Sequence, residues 1–208
     1  MPLRFKTTVV VLCLSLGCAL SARPASASPV LFGSNAYEYI PGFFSWDMAN
    51  AAAQALTYNG VAGHLVTIAS AAENAFVTSL IASVEHSVWI GANDRTVEGE
   101  WRWVTGEQFW NGGSGGTLGP DVLYANWGLG QPDDFGSGQD VATIFGGLVA
   151  SPGAAGRWDD GGSGSGIGGG VFQRDGYLVE FERTVVPEPA TLLLVALGLG
   201  AATRRSRK

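Results

Sequence analysis

Between its two ends the chain has no cysteine and no lysine. Cys13 and Cys18 lie among the first 27 residues, and Lys6 and Lys208 lie near the extremes. A domain without cysteine makes no disulfide, so its stability must come from packing and from any bound metal. Basic residues are scarce as well. Setting aside Arg4, Lys6, Arg23 and the four basic residues at the C-terminus leaves five of the 12, all Arg; setting aside Glu188 leaves 17 of the 18 acids, a net charge of about −12. That balance disfavours nucleic acid and anionic lipid as partners and makes cations natural ones. Histidine is limited to two positions. His64 sits in the apolar stretch Gly63 to Ile68 and reads as core, and no cysteine survives maturation for His86 to activate. The chain does not read as an enzyme.

The two ends read as processing signals. Residues 1–27 have a basic start at Arg4 and Lys6, an apolar stretch from Thr7 to Leu20, and the small-residue cleavage site Ala25-Ser26-Ala27, the pattern of an export signal. Ser15 and Leu16 ahead of Gly17-Cys18 fit a lipoprotein signal poorly. At the other end, Pro187-Glu188-Pro189 leads into Ala190 to Ala202 and then Arg204, Arg205, Arg207 and Lys208. Thirteen residues at about 1.5 Å rise span roughly 20 Å, short of the ~30 Å hydrocarbon core. The basic cluster would stay on the cytoplasmic side. A transient sorting anchor suits this better than a permanent tail anchor, which remains the alternative. Residues 186–208, with Val186, Pro187-Glu188-Pro189, the apolar run and the Arg cluster in order, resemble the PEP-CTERM sorting signal. The resemblance implies export in a Gram-negative bacterium, transient membrane insertion, processing by an exosortase-type enzyme, and an association with extracellular polysaccharide.

Residues 28–184 have the length of one domain with a sizeable core. All seven tryptophans, Trp46, Trp89, Trp101, Trp103, Trp110, Trp127 and Trp158, fall here and read as core or loop-anchoring residues. Tyr37 to Ile40 reads as a strand. Ser45 caps a helix with the stripe Trp46, Ala49, Ala53, Leu56, which Asn59-Gly60 ends. Leu65 to Ile68 reads as a strand. Ser70 and Glu73 form a capping box for a second helix that buries Phe76, Val77 and Leu80. Further strands are expected at Val88 to Gly91, Glu100 to Val104, Val141 to Ile144, Arg157-Trp158 and Gly176 to Phe181, with Gly-rich loops at 111–119 and 161–170. Loops of that length in a compact domain are functional or disordered. Two early helices followed by short strands make an α+β domain.

Oxygen-bearing side chains collect in its second half: Gln131-Pro132-Asp133-Asp134-Phe135, Gln139-Asp140 and Trp158-Asp159-Asp160. Six to eight oxygens of mixed charge are what calcium takes. With Trp89-Ile90-Gly91, Glu98-Gly99-Glu100-Trp101-Arg102-Trp103 and Tyr124-Ala125-Asn126-Trp127, these landmarks from about Asn35 to Glu182 resemble a C-type lectin domain. The resemblance implies a fold of two helices and short antiparallel strands with a long loop region. It also implies a principal Ca2+ ion held by Gln131, Asp133, Gln139, Asp159 and Asp160, which would itself bind two vicinal sugar hydroxyls. An accessory Ca2+ ion is implied at Asp94, Glu98, Asp134 and Asp140, all acidic here.

Two departures and one absence stand out against that family. Gln139 replaces the usual Glu and Asp159 the usual Asn, so the carboxylate count is unchanged at Asp133, Asp159 and Asp160, while Gln139 and Asp159 still offer one amide and one carboxylate to sugar hydroxyls. Gln-Pro-Asp in this family implies galactose-type sugars, and Phe135 an aromatic stacked on the sugar's apolar face; the second exchange reduces galactose to a lean. The usual disulfide between first helix and last strand is missing, and Ala53 and Val179, or their neighbours, are expected to fill that space. The function expected is an exported, calcium-dependent carbohydrate-binding module at the cell surface, with extracellular polysaccharide or another glycan as partner. The alternative is a calcium-stabilised structural or adhesion protein of the matrix that binds no sugar. A glycosidase is disfavoured, since adjacent Asp159 and Asp160 on a strand point to opposite faces, whereas retaining hydrolases need carboxyls about 5–5.5 Å apart.

Overall fold

The computed structural model describes residues 28–136, 138–151, 153–162 and 174–182. The export signal at 1–27, most of the Gly-rich stretch at 161–170 and the sorting segment at 186–208 lie outside the described residues. In chain order the elements are β1 (Val30–Phe32), β2 (Asn35–Pro41), α1 (Trp46–Ala55), β3 (Thr57–Tyr58), β4 (Val61–Ala62), β5 (His64–Leu65) and α2 (Ala71–Leu80). Then follow β6 (Ser87–Asn93), β7 (Glu100–Trp103), β8 (Gln108–Asn111), β9 (Thr117–Leu118), β10 (Val141–Phe145), β11 (Trp158–Gly161) and β12 (Arg174–Phe181). The expected α+β class is what the chain adopts.

One sheet runs β1-β2-β12-β6-β7-β8-β9, with β10 joining β6 to β11 and β5 joining β12. Its pairings are antiparallel except β12 with β6. Alternation along the central strands sends side chains to opposite faces. Val88 and Ile90 of β6, Ala142 and Ile144 of β10, and Leu178 of β12 join a cluster with Val77 of α2. Trp89, Val141, Tyr177, Val179 and Phe181 join another with Trp46, Ala49 and Ala53 of α1. Both faces of these strands are therefore covered, which is why they read as unbroken apolar runs. Six of the seven tryptophans are buried, as expected; Trp110 is half-buried.

Both helix starts follow local rules. Ser45 Oγ accepts from Met48 N–H and Ser70 Oγ from Glu73 N–H. The capping box at Ser70 is modified, however. Glu73 does not return to the Ser70 amide; Oε2 accepts from Ala69 N–H (2.8 Å) and Oε1 from Tyr37 OH (2.7 Å), because the carboxylate is buried and reaches further back. Asn59-Gly60 does not end α1, which stops at Ala55. It is instead the turn of the β3–β4 hairpin, with φ of 51° and 81° at its two residues, as a two-residue hairpin turn requires. The expected strand at Leu65 to Ile68 pairs only over His64–Leu65, and the presumed loop at 111–119 contains β9, paired with β8. The half-buried His64 is not a full core residue. Ala53 and Val179 are both fully buried in one cluster, and a Cβ on Gly63 would lie 2.8 Å from each of Ala53 O and Val179 Cγ1. Apolar contact thus closes the gap between first helix and last strand.

Candidate functional site

Three segments converge beyond the ends of β6 and β11: the turn after β6, the loop 126–140, and β11 itself. Trp158 of β11 anchors the floor. It is fully buried, donates from Nε1 to Asn74 Oδ1 (2.8 Å), and packs edge-on against Trp103, Phe109, Tyr124 and Trp127. With Trp158 pointing inward, the neighbouring Asp159 points to the other face and is half-buried, and Asp160 follows Trp158's side and is buried. The adjacent carboxylates therefore diverge, as strand geometry requires.

Asp160 organises the loop. Its Oδ2 accepts from Asp133 N–H (3.0 Å) and Asp134 N–H (2.8 Å), next to a cis Gln131-Pro132 peptide. Asp134, in the left-handed region at φ 44°, turns the loop on itself by accepting at Oδ1 from Gly138 N–H (2.6 Å) and Gln139 N–H (3.1 Å). Phe135 N–H is met by Gln139 Oε1 (2.7 Å) and Asp133 Oδ1 (3.3 Å), and the residue is left 78 % exposed. The principal set is thus divided between two depressions. Gln131 and Asp159 line a cavity of about 810 Å³, and Asp133 and Asp160, with Asp134 and Glu98, line one of about 260 Å³.

Of the accessory set, Asp94, Glu98 and Asp140 bring one carboxylate oxygen each to within 4.8 Å of one another. The Asp134 carboxylate is engaged in its own loop, though it still acts electrostatically on Glu98. Burial pushes Asp94 up to about 6, with Glu98 and Asp140 adding to the rise and Gly99 N–H opposing it. Burial likewise takes Asp159 to about 6, against Arg174 and with Asp160 and Asp133. Asp160 is raised by burial despite its two amide donors. Glu98 is raised by partial desolvation, then by Asp134, Asp140 and Asp160. These acids are mutually repelling and short of counter-charge.

Three oxygens in this region are enclosed with no hydrogen-bond partner: Asp94 Oδ1, Asp160 Oδ1 and Gln131 Oε1. A buried charged oxygen left unpaired is costly, and a hard cation satisfies several at once. The donor set therefore fits calcium. A second cluster, His64, Glu180 and Glu182, also brings ligand atoms within 4.8 Å. There the Glu180 oxygens are already met by Asn35 Nδ2, Tyr37 OH, and Thr67 N–H and Oγ1.

The family description "Lectin C-type domain" matches residues 46–164, more than half of the chain. The chain belongs to the C-type lectin family. A PEP-CTERM protein-sorting motif matches residues 185–208. This lectin domain is 30 % identical over 123 residues to echinoidin of Heliocidaris crassispina, covering 54 % of the chain and 75 % of that protein. It is 31 % identical over 108 residues to the alpha-N-acetylgalactosamine-specific lectin of Patiria pectinifera (50 % and 56 %). It is 32 % identical over 112 residues to halomucin of Haloquadratum walsbyi, covering 52 % of the chain but 1 % of that much longer protein. In fold it resembles the C-type lectin CEL-I of Cucumaria echinata, with a TM-score of 0.57 and 20 % identity over 77 % of this chain and 98 % of that one. A C-type lectin domain of this kind is a lectin-like carbohydrate-binding module. Among the described residues no helix is long and apolar enough to cross a membrane.

The larger cavity was not legible from sequence. Besides Gln131 and Asp159 it is lined by Trp110, Trp127, Leu129 and Arg157. The one available signal was Arg157 itself, a rare cation directly before Trp158-Asp159-Asp160.

Proposed function

We propose that the domain binds glycans in a calcium-dependent way and does not catalyse their cleavage. The observation that supports this best is the pair of enclosed, partnerless carboxylate oxygens, Asp94 Oδ1 and Asp160 Oδ1, one in each implied ligand set. Calcium, when bound, supplies the charge these oxygens lack and open coordination positions for sugar hydroxyls. Asp94, Glu98 and Asp140, with Asp134, would hold the accessory ion. Asp133 and Asp160, with Gln131, Gln139 and Asp159, would hold the principal one. Gln131 and Gln139 can donate through their amides to hydroxyl oxygens, while Asp133 and Asp159 accept hydroxyl protons. The exposed Phe135 ring offers an apolar face, and together with the N-acetylgalactosamine specificity of the Patiria relative it favours galactose-type sugars. The sorting motif supports export in a Gram-negative bacterium, exosortase-type processing with a transient or retained inner-membrane anchor, and residence at the surface or in the polysaccharide matrix.

One observation favours the alternative, a calcium-stabilised adhesion or matrix protein without sugar binding. Gln139 Oε1 already accepts from Phe135 N–H, and so is turned inward. A glycan array probed in calcium and again in EGTA separates the two. Binding in calcium that vanishes in EGTA is expected; equal binding in both rejects the calcium mechanism, and no binding in either favours the adhesion protein.

A further inference from the structure

We propose that the cavity beside Gln131 and Asp159 is a second subsite, which receives a uronate residue of an acidic polysaccharide and takes its carboxylate on Arg157. This rests on the calcium-dependent glycan reading and extends it to the class of polymer bound. At about 810 Å³ the cavity is in the upper part of the range usual for small-molecule sites. It shares Gln131 and Asp159 with the implied principal site, so a chain held there by one residue has its next residue at the cavity.

The walls suit a sugar ring and a charge. Trp110 is fixed by its indole N–H, which donates to Gly112 O (2.9 Å) and Gly113 O (3.2 Å). The Gly-rich loop makes that possible: a Cβ on Gly116 would stand 2.7 Å from Trp110 Nε1 and 2.3 Å from Asn111 O. Leu129 is fully exposed on the rim. An anchored indole beside an exposed leucine offers apolar surface to the C–H face of a pyranose.

Charge selects the ligand. In so acidic a domain an anionic polymer is repelled almost everywhere. Among the described residues Arg95 pairs with Asp47, Arg102 pairs with Glu100, and Arg174 is 3 % exposed with Asp159 beside it. Of the described arginines, Arg157 is the exposed one that forms no ion pair with a carboxylate; it donates from Nη1 to Asn126 Oδ1 (2.9 Å). Asn126 is held in turn by Nδ2 to Gly156 O (2.7 Å) and by Trp158 N–H to its carbonyl (2.9 Å). Arg157 and Asp159 flank the inward Trp158 and share the outer face, roughly 7 Å apart along the strand. A guanidinium held this way keeps donors free for a carboxylate, which its planar fork matches.

The test uses the full chain in calcium, with oligosaccharides of alternating galactose and glucuronate and the same oligosaccharides after carboxyl reduction. The acidic compound is expected to bind at least fivefold tighter, with the gap closing at high salt. Arg157→Gln should bring its affinity down to that of the reduced compound, and Arg157→Lys should keep part of the gap. Equal affinity of the two compounds for the wild type, or a gap that survives Arg157→Gln, overturns the proposal while leaving calcium-dependent binding of the reduced compound intact. Failure of both compounds to bind in calcium overturns the underlying glycan reading as well. A gap seen only with sulfated galactose oligosaccharides, and not with uronate, overturns the carboxylate assignment.

Discussion

One oxygen of Asp160 accepts from the Asp133 and Asp134 amides, and the other is enclosed with no donor. The two oxygens make the two obvious substitutions behave differently. Asp160→Ala leaves both amides without an acceptor, a loss of roughly 1.5–3 kcal/mol for each charge-assisted bond, and should lower thermal stability even in EGTA. Asp160→Asn keeps an acceptor for both amides and removes a charge that burial disfavours. Its stability in EGTA should therefore equal or exceed the wild type's, while calorimetry shows calcium affinity reduced at least tenfold. Equal calcium affinity in the Asn variant would remove Asp160 from the ligand set. At this scale the sequence was informative where identity alone decides. The acids at 94, 98, 133, 134, 140, 159 and 160 could be named from their positions. That Gln139 turns its oxygen to Phe135 N–H, or that Arg157 forms no ion pair with a carboxylate among the described residues, depends on how distant segments meet.

The join between β2, β5 and β12 contains a buried polar device at the scale of elements. Glu180 of β12 meets Asn35 Nδ2 (2.8 Å), Tyr37 OH (2.9 Å), Thr67 N–H (3.1 Å) and Thr67 Oγ1 (2.9 Å), and Tyr37 OH also lies 2.7 Å from Glu73 Oε1 of α2. Tyr37 has one proton to give and two carboxylates to serve. Burial raises the Glu180 pKa, opposed by the Thr67 amide and by His64 and reinforced by Glu73. A carboxyl whose folded pKa is raised contributes stability that is complete below the ordinary Glu range, near 4.3, and is lost as pH rises through the folded value. In EGTA, the unfolding free energy of wild type minus that of Glu180→Gln should therefore fall as pH rises from about 4.3. Urea denaturation at a series of pH values measures it, and a flat difference refutes it. The helix caps at Ser45 and Ser70 were readable because a cap is settled within four residues. The hairpin at Asn59-Gly60 and strands β1, β8 and β9 were not, since two- to four-residue strands exist only through the partners they find.

For the molecule as a whole, the lack of cysteine beyond residue 18 leaves stability to packing and to the calcium proposed above. A ligand that binds only the folded state at a hundred times its Kd adds about 2.7 kcal/mol, a shift of several degrees in a domain this size. Calcium should raise the melting temperature of the wild type by that order, and magnesium should not match it, since it demands tighter octahedral geometry. No shift in scanning calorimetry would mean that the enclosed oxygens are satisfied in another way. The α+β class and the family-like order of landmarks were visible in the sequence because strong apolar runs and tryptophans mark the central strands. The division of the site into two depressions was not.

Strand β12 also acts as a spacer. Its first residue, Arg174, lies beside Asp159, and its last, Phe181, pairs with Ala36 of β2, roughly 20 Å along the strand. A leash attached after Glu182 would therefore pull on the domain through β12, a full strand length from the contact of Arg174 with Asp159. Many copies tethered this way could grip a long polymer at several points, so that feeble single contacts would add up to firm retention.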